Sequence, residues 1–295
     1  MTHFAKIPLT PRDILNKLIS QGLTIPPAQH TDAIKYLRYV GAFRLKGYWF
    51  HLLHPTSKTF EAGATFQNIV DRYEFDSSLR AITSKAIEKL EVAIRTNMSD
   101  TLSQRHGSDW FLKPDIFSPN RNWGIGMMLS KIENETRRSD SLFIDHYYKK
   151  YTSPYLPPSW AITECVTFGF WSRTFEILKD ARDKKSISMQ FGVDKHEVFV
   201  SWIHALTYLR NVCAHHVRII GHKLKISPAN YKSKNIRFSD NKSFYSIATV
   251  ISFLLTQTNI PNDFKSSLVS LFSSYPSINP AELGFPSNWQ TAPGW

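Results

Sequence analysis

The chain has 295 residues, 42% of them hydrophobic, which is long enough to enclose a substantial apolar core. Lysine and arginine outnumber aspartate and glutamate by 36 to 24, and the resulting net charge of +12 favours partners such as nucleic acid or an anionic surface, although many basic proteins bind neither. Two cysteines, Cys165 and Cys213, exclude a disulfide framework. The longest apolar stretch, Ser246 to Leu255, is far shorter than the roughly 20 residues of a membrane span, and Met1 to Asp13 has no run typical of a signal peptide, so we expect a cytoplasmic protein without a membrane partner.

Helical signals begin near the start of the chain. The first predicted helix covers Thr10 to Gln21, with Thr10 as its N-cap and Pro11 at its first position. A second helix is predicted from about Thr31 to Val40 by the spacing of its apolar residues. The stretch from Gly41 to Phe50 is interpreted as a turn followed by a short helix or loop.

The strongest periodicity lies between Phe66 and about Ser103. Apolar residues recur there every three or four positions, and no proline or glycine interrupts them, so the pattern predicts one long amphipathic helix. The same type of spacing predicts further helices at Trp123–Arg138, Leu142–Tyr151, Trp160–Lys179, His196–His216, Phe244–Leu255 and Asp263–Phe272.

The remaining segments are polar. Lys184 to Lys195 is predicted to be turn-like, and Leu224 to Asp240 is predicted to be a loop. Alternation typical of β-strands is scarce, so the sequence predicts an all-α fold, a multi-helix bundle with an N-terminal helical extension. We expect an N-terminal helical lobe at 1–64, a larger helical domain at 65–274 and a C-terminal surface tail at 275–295.

One segment, Arg210 to Arg218, concentrates groups that suit phosphodiester chemistry. On a helix, Asn211 and His215 are i, i+4 neighbours on one face, and the long Arg210 side chain can reach the same region. A neutral imidazole can take the proton of a ribose 2′-hydroxyl, and a guanidinium can stabilise the charge that develops on the phosphate. Such chemistry cleaves RNA and leaves DNA intact.

Two other interpretations of this segment stay open at this point. Arginine and histidine often lie close together on a helix for structural reasons alone. A zinc site is a second possibility, but the sequence has no Cys-x2-Cys or His-Glu-x2-His pattern, so we expect neither a metal nor another cofactor. The residues considered for zinc are His204, Cys213, His215, His216 and His222.

The segment Arg210-Asn-x-x-Ala-His-His-x-Arg218 resembles the signature of the Abi-like bacterial abortive-infection proteins of the AbiD/AbiF type, which belong to the HEPN superfamily. Other segments resemble motifs of the same family and follow in the expected order. They are Gly22-Leu-x-Ile25 with Phe43-Arg-Leu-Lys-Gly-Tyr-Trp49, Phe75-Asp76-x3-Arg80, Ile87-Glu88-x2-Glu91-x3-Arg95-Thr96, and Pro157-Pro-Ser-Trp160 with Glu164-x3-Phe168-Gly169.

This resemblance implies an all-α HEPN fold and a metal-independent endoribonuclease acting in phage defence. Arg210 matches the family's arginine, Asn211 the polar residue after it, and His215 the histidine, while His216 also satisfies the permitted spacing. One motif per chain implies a composite site made by two protomers, and hence a homodimer. Some relatives act beside small structured RNAs, so a non-coding RNA is an expected partner.

Several basic or aromatic residues are candidates for RNA binding, each with an alternative. Tyr48 and Trp49 either stack on bases or pack in the core, and the basic residues after residue 178 either follow phosphates or form a solvated surface. Glu88 and Glu91 are either acid/base carboxylates or, as we expect, partners of Lys85, Lys89 or Arg95. If Glu91 and Arg95 are buried, they brace the histidine helix instead, and Cys213 is expected to be packed. The RNA-binding candidates are Arg44, Lys46, Trp49, Arg173, Lys179, Arg182, Lys184, Lys185 and Arg218.

The sequence therefore predicts an RNA endonuclease that is held inactive until infection. A non-catalytic RNA-binding or scaffold protein, and a toxin neutralised by a neighbouring antitoxin, are the alternatives.

Overall fold

The computed structural model describes residues 3, 5 and 7–295. These residues form helices joined by loops and single 3-10 turns, and their only β pairing consists of isolated bridges. The predicted all-α class is confirmed. No helix in this described part of the chain is both long and apolar enough to cross a membrane. The prediction for Met1 to Asp13 falls partly on residues 1, 2, 4 and 6, which lie outside the described set.

The described residues divide into two compact units according to their internal contacts. The first unit runs up to Leu79 and includes Leu271–Ile278, and the second contains Arg80–Ser270 and Asn279–Trp295. The domain boundaries predicted at residues 64 and 274 stay predictions, because a compact unit need not fold on its own.

The first unit contains α1 (Pro11–Ser20), α2 (His30–Tyr36), a π-helical turn (Leu37–Gly41), α3 (Ala42–Trp49) and the start of α4 (Phe66–His106). The predicted cap of α1 is confirmed: the Thr10 hydroxyl accepts from the Asp13 backbone N–H, and the Asp13 carboxylate accepts from the Thr10 N–H, both at 3.2 Å.

Helix α3 follows a sharp turn at Gly41, where φ is +91° and glycine avoids a steric penalty. Its buried side is formed by Leu45, Tyr48 and Trp49. The Tyr48 hydroxyl donates to the Asp76 carboxylate of α4 at 2.8 Å, which satisfies two polar groups in the interior. The predicted turn and short helix are therefore present.

The second unit contains the rest of α4 and most of the later helices. These are α5 (Ile125–Arg137), α6 (Leu142–Lys150), α7 (Ser159–Ile162), α8 (Phe168–Ile177), α9 (Ala181–Met189), α10 (His196–Ala214), α11 (Phe244–Gln257) and α12 (Phe264–Ser274), of which the last ends in the first unit. The long helix predicted from Phe66 is confirmed, and it continues one turn beyond Ser103.

Two local predictions in this unit are wrong. Trp160–Lys179 was predicted as one helix, but the chain leaves helical geometry between α7 and α8, where the Thr163 hydroxyl bonds the Trp160 carbonyl at 2.7 Å. Lys184–Lys195 was predicted to be turn-like, yet α9 occupies its first half. Asp180 caps that helix by accepting from the Arg182 N–H at 2.8 Å.

Helix α10 is the centre of the second unit and packs against α8, α9 and α11. Phe199 and Trp202 are fully buried on it, and the Trp202 indole donates to the Ala229 carbonyl at 2.8 Å. At the α8 contact, a Cβ added to Gly169 would meet the Thr207 methyl at 3.6 Å, an ordinary contact distance. This packing fixes the helix on which the Arg210 segment lies.

The C-terminal segment 275–295 also contributes to the interior. Phe285 and Trp289 are buried, with their ring centroids 5.0 Å apart, and Tyr245 of α11 stacks near Trp295. The aromatic side chains of this segment therefore pack against each other and against α11.

Candidate functional site

Around Arg210, helix α10 has a buried apolar side and an exposed polar side. Leu209, Val212 and Cys213 are buried, in agreement with the packed role expected for Cys213. Asn211 and His215 are exposed, and the Arg210 side chain is 42% exposed. The last turns of α10 thus present a polar surface supported by a rigid apolar base.

Helix α10 ends earlier than predicted. It stops at Ala214, and His215 is the C-cap, with its N–H still bonded to the Asn211 carbonyl at 3.0 Å. The His216 N–H donates to the Cys213 carbonyl at 3.0 Å, and the Val217 N–H donates to the Val212 carbonyl at 2.9 Å. This pair of bonds is a Schellman motif, which requires a left-handed residue, and His216 supplies it with φ of +54°.

The end of α10 gives His215 and His216 different backbone conformations. His215 keeps a helical hydrogen bond to Asn211 and so stays one turn beyond it, as the predicted site requires. His216 occupies a backbone conformation in which glycine is usual. The predicted continuation of the helix to His216 is wrong, because the Schellman bonds terminate the helix there.

The Arg210 guanidinium contacts two neighbours. Its Nη1 donates to the Asn211 side-chain oxygen at 3.3 Å, and its Nε lies 3.6 Å from Glu91 Oε2 of α4. Glu91 is only 13% exposed, so its carboxylate needs this partner. The poorly exposed Glu91 thus contacts the histidine helix, as the alternative for a buried Glu91 predicted, and not Lys85, Lys89 or Arg95.

A second ion pair joins the same stretch of α4 to the loop after α7. Arg95 Nη2 lies 3.4 Å from Glu164 Oε2, while Arg95 Nε is buried without a hydrogen-bond partner. Glu91 and Arg95 thus contact two distant parts of the chain from adjacent turns of α4. Three of the motifs noted in the sequence are joined by these contacts.

His204, a zinc candidate in the sequence, lies on the same helix as the Arg210 segment. It is spaced i, i+7 and i+11 with Asn211 and His215, so the three lie on one face of α10, with His204 about 10 Å along the helix from Asn211. Its Nε2 is 3.6 Å from Glu176 Oε2 of α8. Burial lowers the pKa of His204, while Glu176 opposes that shift and Arg173 adds to it.

Arg173 is close enough to His204 to lower the pKa of that histidine. Its guanidinium is 5.4 Å from the centre of the Trp123 ring, a cation–π contact, and its side chain is exposed. The polar face of α10 therefore continues from the Arg210 segment to a second group of arginine, histidine and glutamate. The helical spacing from His215 was the signal available in the sequence.

The basic run after α8 is only partly available to a polyanion. Arg182 is paired with Asp180 at 2.8 Å, and the Lys184 ammonium donates to the Glu176 carbonyl at 2.7 Å. Burial lowers the pKa of Lys184. Lys179 and Lys185 are exposed.

Of the other candidates for RNA binding, some belong to the first unit and one belongs to the second. Arg44 and Lys46 are exposed in the first unit, whereas Trp49 is 7% exposed, which favours the alternative of core packing for this ring. Arg218 is half-buried in the second unit. Among the described residues, no three His, Cys, Asp or Glu side chains are grouped closely enough to hold a metal ion.

Comparison with protein families is informative for this chain. A family model described as Abi-like protein matches residues 35–221, more than half of the sequence. The chain belongs to the Abi-like protein family. The match includes every quoted motif from Phe43 onward and ends just after Arg218, and membership points to abortive-infection defence. No curated protein and no solved structure matches this Abi-like protein.

Proposed function

We propose that this Abi-like protein is a metal-independent endoribonuclease of the HEPN type that acts in antiphage defence. The observation that carries the proposal is the polar end of α10, where Arg210, Asn211 and His215 reach solvent above a buried apolar base. A guanidinium, an amide and an imidazole at an accessible surface are the groups that phosphodiester cleavage through a ribose 2′-hydroxyl needs.

In the proposed reaction, His215 removes the proton from a ribose 2′-hydroxyl. The 2′-oxygen then forms a bond to phosphorus, and the bond from phosphorus to the 5′-oxygen breaks as that oxygen takes up a proton. The products are a 2′,3′-cyclic phosphate and a 5′-hydroxyl. Arg210 stabilises the added charge on the phosphate oxygens, and Asn211 orients the imidazole or the phosphate.

Glu91 is the proposed positioning residue for Arg210. A guanidinium has five N–H donors, and the contacts with Glu91 and Asn211 leave donors for a phosphate. Because Glu91 sits on α4, the long helix limits the directions in which the guanidinium can point.

The proposed site is completed by a second copy of the chain, since each chain carries one such motif. If Arg210 of one copy acts with His215 of the other, then a mixture of Arg210→Ala and His215→Ala proteins forms hybrid dimers with one intact site. Mixing would then restore cleavage that neither variant has alone. Sedimentation measurements should show a dimer, and mixing without recovery contradicts the composite site.

The main test is cleavage of labelled RNA in the presence of EDTA. Arg210→Ala and His215→Ala should lose cleavage, whereas Arg121→Ala and His146→Ala, which replace exposed residues outside the segment, should keep it. RNA with 2′-O-methyl groups should resist cutting. Retention of cleavage by both site variants contradicts the proposal, and RNA binding with no cleavage by the unmodified protein favours a non-catalytic role.

A nuclease that cuts cellular RNA needs an inhibitor before infection, and we propose a bound small non-coding RNA for that role. The net charge of +12 is compatible with such a partner. Sequencing of RNA that co-purifies with the protein should identify one predominant species, and a purely random population contradicts the idea.

A further inference from the structure

A groove of about 520 Å³ lies in the first unit between α1 and α3 and extends toward Lys58. One side is the outer face of α3 with Phe43 and Lys46, and Phe50 follows at helical spacing as the C-cap of this helix. Leu45 and Tyr48 are buried on the other side of this helix, and Trp49, which is only 7% exposed, also lines the groove. The packing of α3 therefore needs neither phenylalanine ring on the outer face.

The two rings are unusually open to water. Phe43 is 93% exposed and Phe50 is 56% exposed, and both line the groove. The Lys46 ammonium lies 5.6 Å from the centre of the Phe50 ring, which places a cation directly beside an aromatic face. Exposed rings of this size are costly in water and indicate a surface that a partner covers.

The charge around the groove has one sign. Lys17, Lys46 and Lys58 are its charged lining residues, and the described residues that line it include no carboxylate. Lys58 donates to the Pro55 carbonyl at 2.5 Å, which leaves two of its three donors. Aromatic faces next to unneutralised ammonium groups are complementary to a chain of bases and phosphates.

We propose that this groove binds a single-stranded polynucleotide. Bases stack on Phe43 and Phe50, and the three lysines bind the adjacent phosphates. A single strand fits because its bases expose their faces, whereas those of a duplex are already stacked. The proposal goes beyond RNA cleavage, since binding here needs neither Arg210 nor a 2′-hydroxyl.

The test uses the full chain and a fluorescent 2′-O-methyl oligouridine, which cannot be cleaved through its 2′-oxygen. Phe43→Ala and Phe50→Ala should each weaken binding by about 5- to 150-fold, the usual effect of losing one stacked base. Tyr39→Ala is the matched control, because Tyr39 is equally aromatic, 79% exposed and outside the groove lining.

The lysines are tested by the dependence of affinity on salt. The triple replacement of Lys17, Lys46 and Lys58 by alanine should reduce the slope of log K against log salt by about 2, near 0.7 for each phosphate contact. Lys35→Ala should leave the slope unchanged, because Lys35 is paired with Asp32 and does not line the groove.

Three outcomes overturn the proposal: Phe43→Ala and Phe50→Ala bind like Tyr39→Ala, duplex RNA competes as well as the single strand, or an amphipathic peptide binds the groove while the oligonucleotide does not. The last outcome makes the groove a protein-docking surface. Phe43→Ala should weaken binding by the same factor in the Arg210→Ala protein as in the unmodified one, so failure of cleavage and failure of groove binding are separate results. Circular dichroism should show that the exposed Phe43→Ala replacement leaves the fold intact.

Discussion

The left-handed conformation of His216 determines how replacements at this position should affect the stability of the protein. Its φ is +54°, and this value is required by the two bonds of the Schellman motif. A side chain in this region costs about 1–2 kcal/mol, which glycine avoids. Glycine also lowers the free energy of unfolding by about 0.5–1 kcal/mol, because it gives the unfolded chain more conformational freedom than alanine does. His216→Gly should therefore exceed His216→Ala in the free energy of unfolding by about 0.5–1 kcal/mol.

Thermal unfolding followed by circular dichroism measures this difference. For a protein of this size, about 1 kcal/mol corresponds to a Tm difference of about 2 °C, with His216→Gly the higher. His216→Asn should fall between the two, because asparagine tolerates the left-handed region better than alanine. Equal Tm values for the glycine and alanine proteins refute the assigned helix end.

The same variants separate the two imidazoles in catalysis. Because His215 keeps the helical bond to Asn211, the stable His216→Gly protein should still cleave RNA, whereas His215→Ala should not. The opposite result, with cleavage lost only in His216→Gly, assigns the proton transfer to His216.

Three further predictions concern ionisable groups of the second unit. Asp183→Asn should reduce the free energy of unfolding by roughly 3 kcal/mol in a urea titration, because the buried carboxylate lies 2.6 Å from Arg105 Nε and 2.8 Å from His106 Nε2; an unchanged urea midpoint contradicts this. Arg210→Ala should lose about 1–3 kcal/mol, because it leaves the 13% exposed Glu91 carboxylate without its partner, and an unchanged midpoint in the same titration contradicts this pairing. Burial lowers the pKa of His204 in the folded protein. Above about pH 6.5 this histidine is neutral in the folded and unfolded states, so it does not reduce the free energy of unfolding. As the pH falls below that value, the unfolded chain takes up the proton first and the folded protein loses stability. Urea midpoints at pH 7.5 and 5.5 should therefore differ less in His204→Gln than in the unmodified protein, and an equal difference rejects the assignment.

Sequence patterns were sufficient where a structure depends on neighbouring residues. The uninterrupted periodicity from Phe66 predicted α4, and Thr10 before Pro11 predicted the start of α1. The Arg210 segment could be singled out because its residue types suit phosphate chemistry. Local patterns failed at α9, where a polar sequence is helical because Asp180 caps it and the buried Asp183 carboxylate pairs with Arg105.

Tertiary structure decided which residues meet. Glu91 could pair with several cations at helical spacing, and only the packing of α4 near α10 selected Arg210. Likewise, the hydrophobic character of Phe43 and Trp49 did not show which ring would be exposed, because that depends on which side of α3 meets the core. The sequence by itself determined most of the helices and the chemistry available in this protein. Contacts between distant segments determined which of those groups are brought together and which reach solvent, since such contacts depend on the packing of whole helices and not on local spacing.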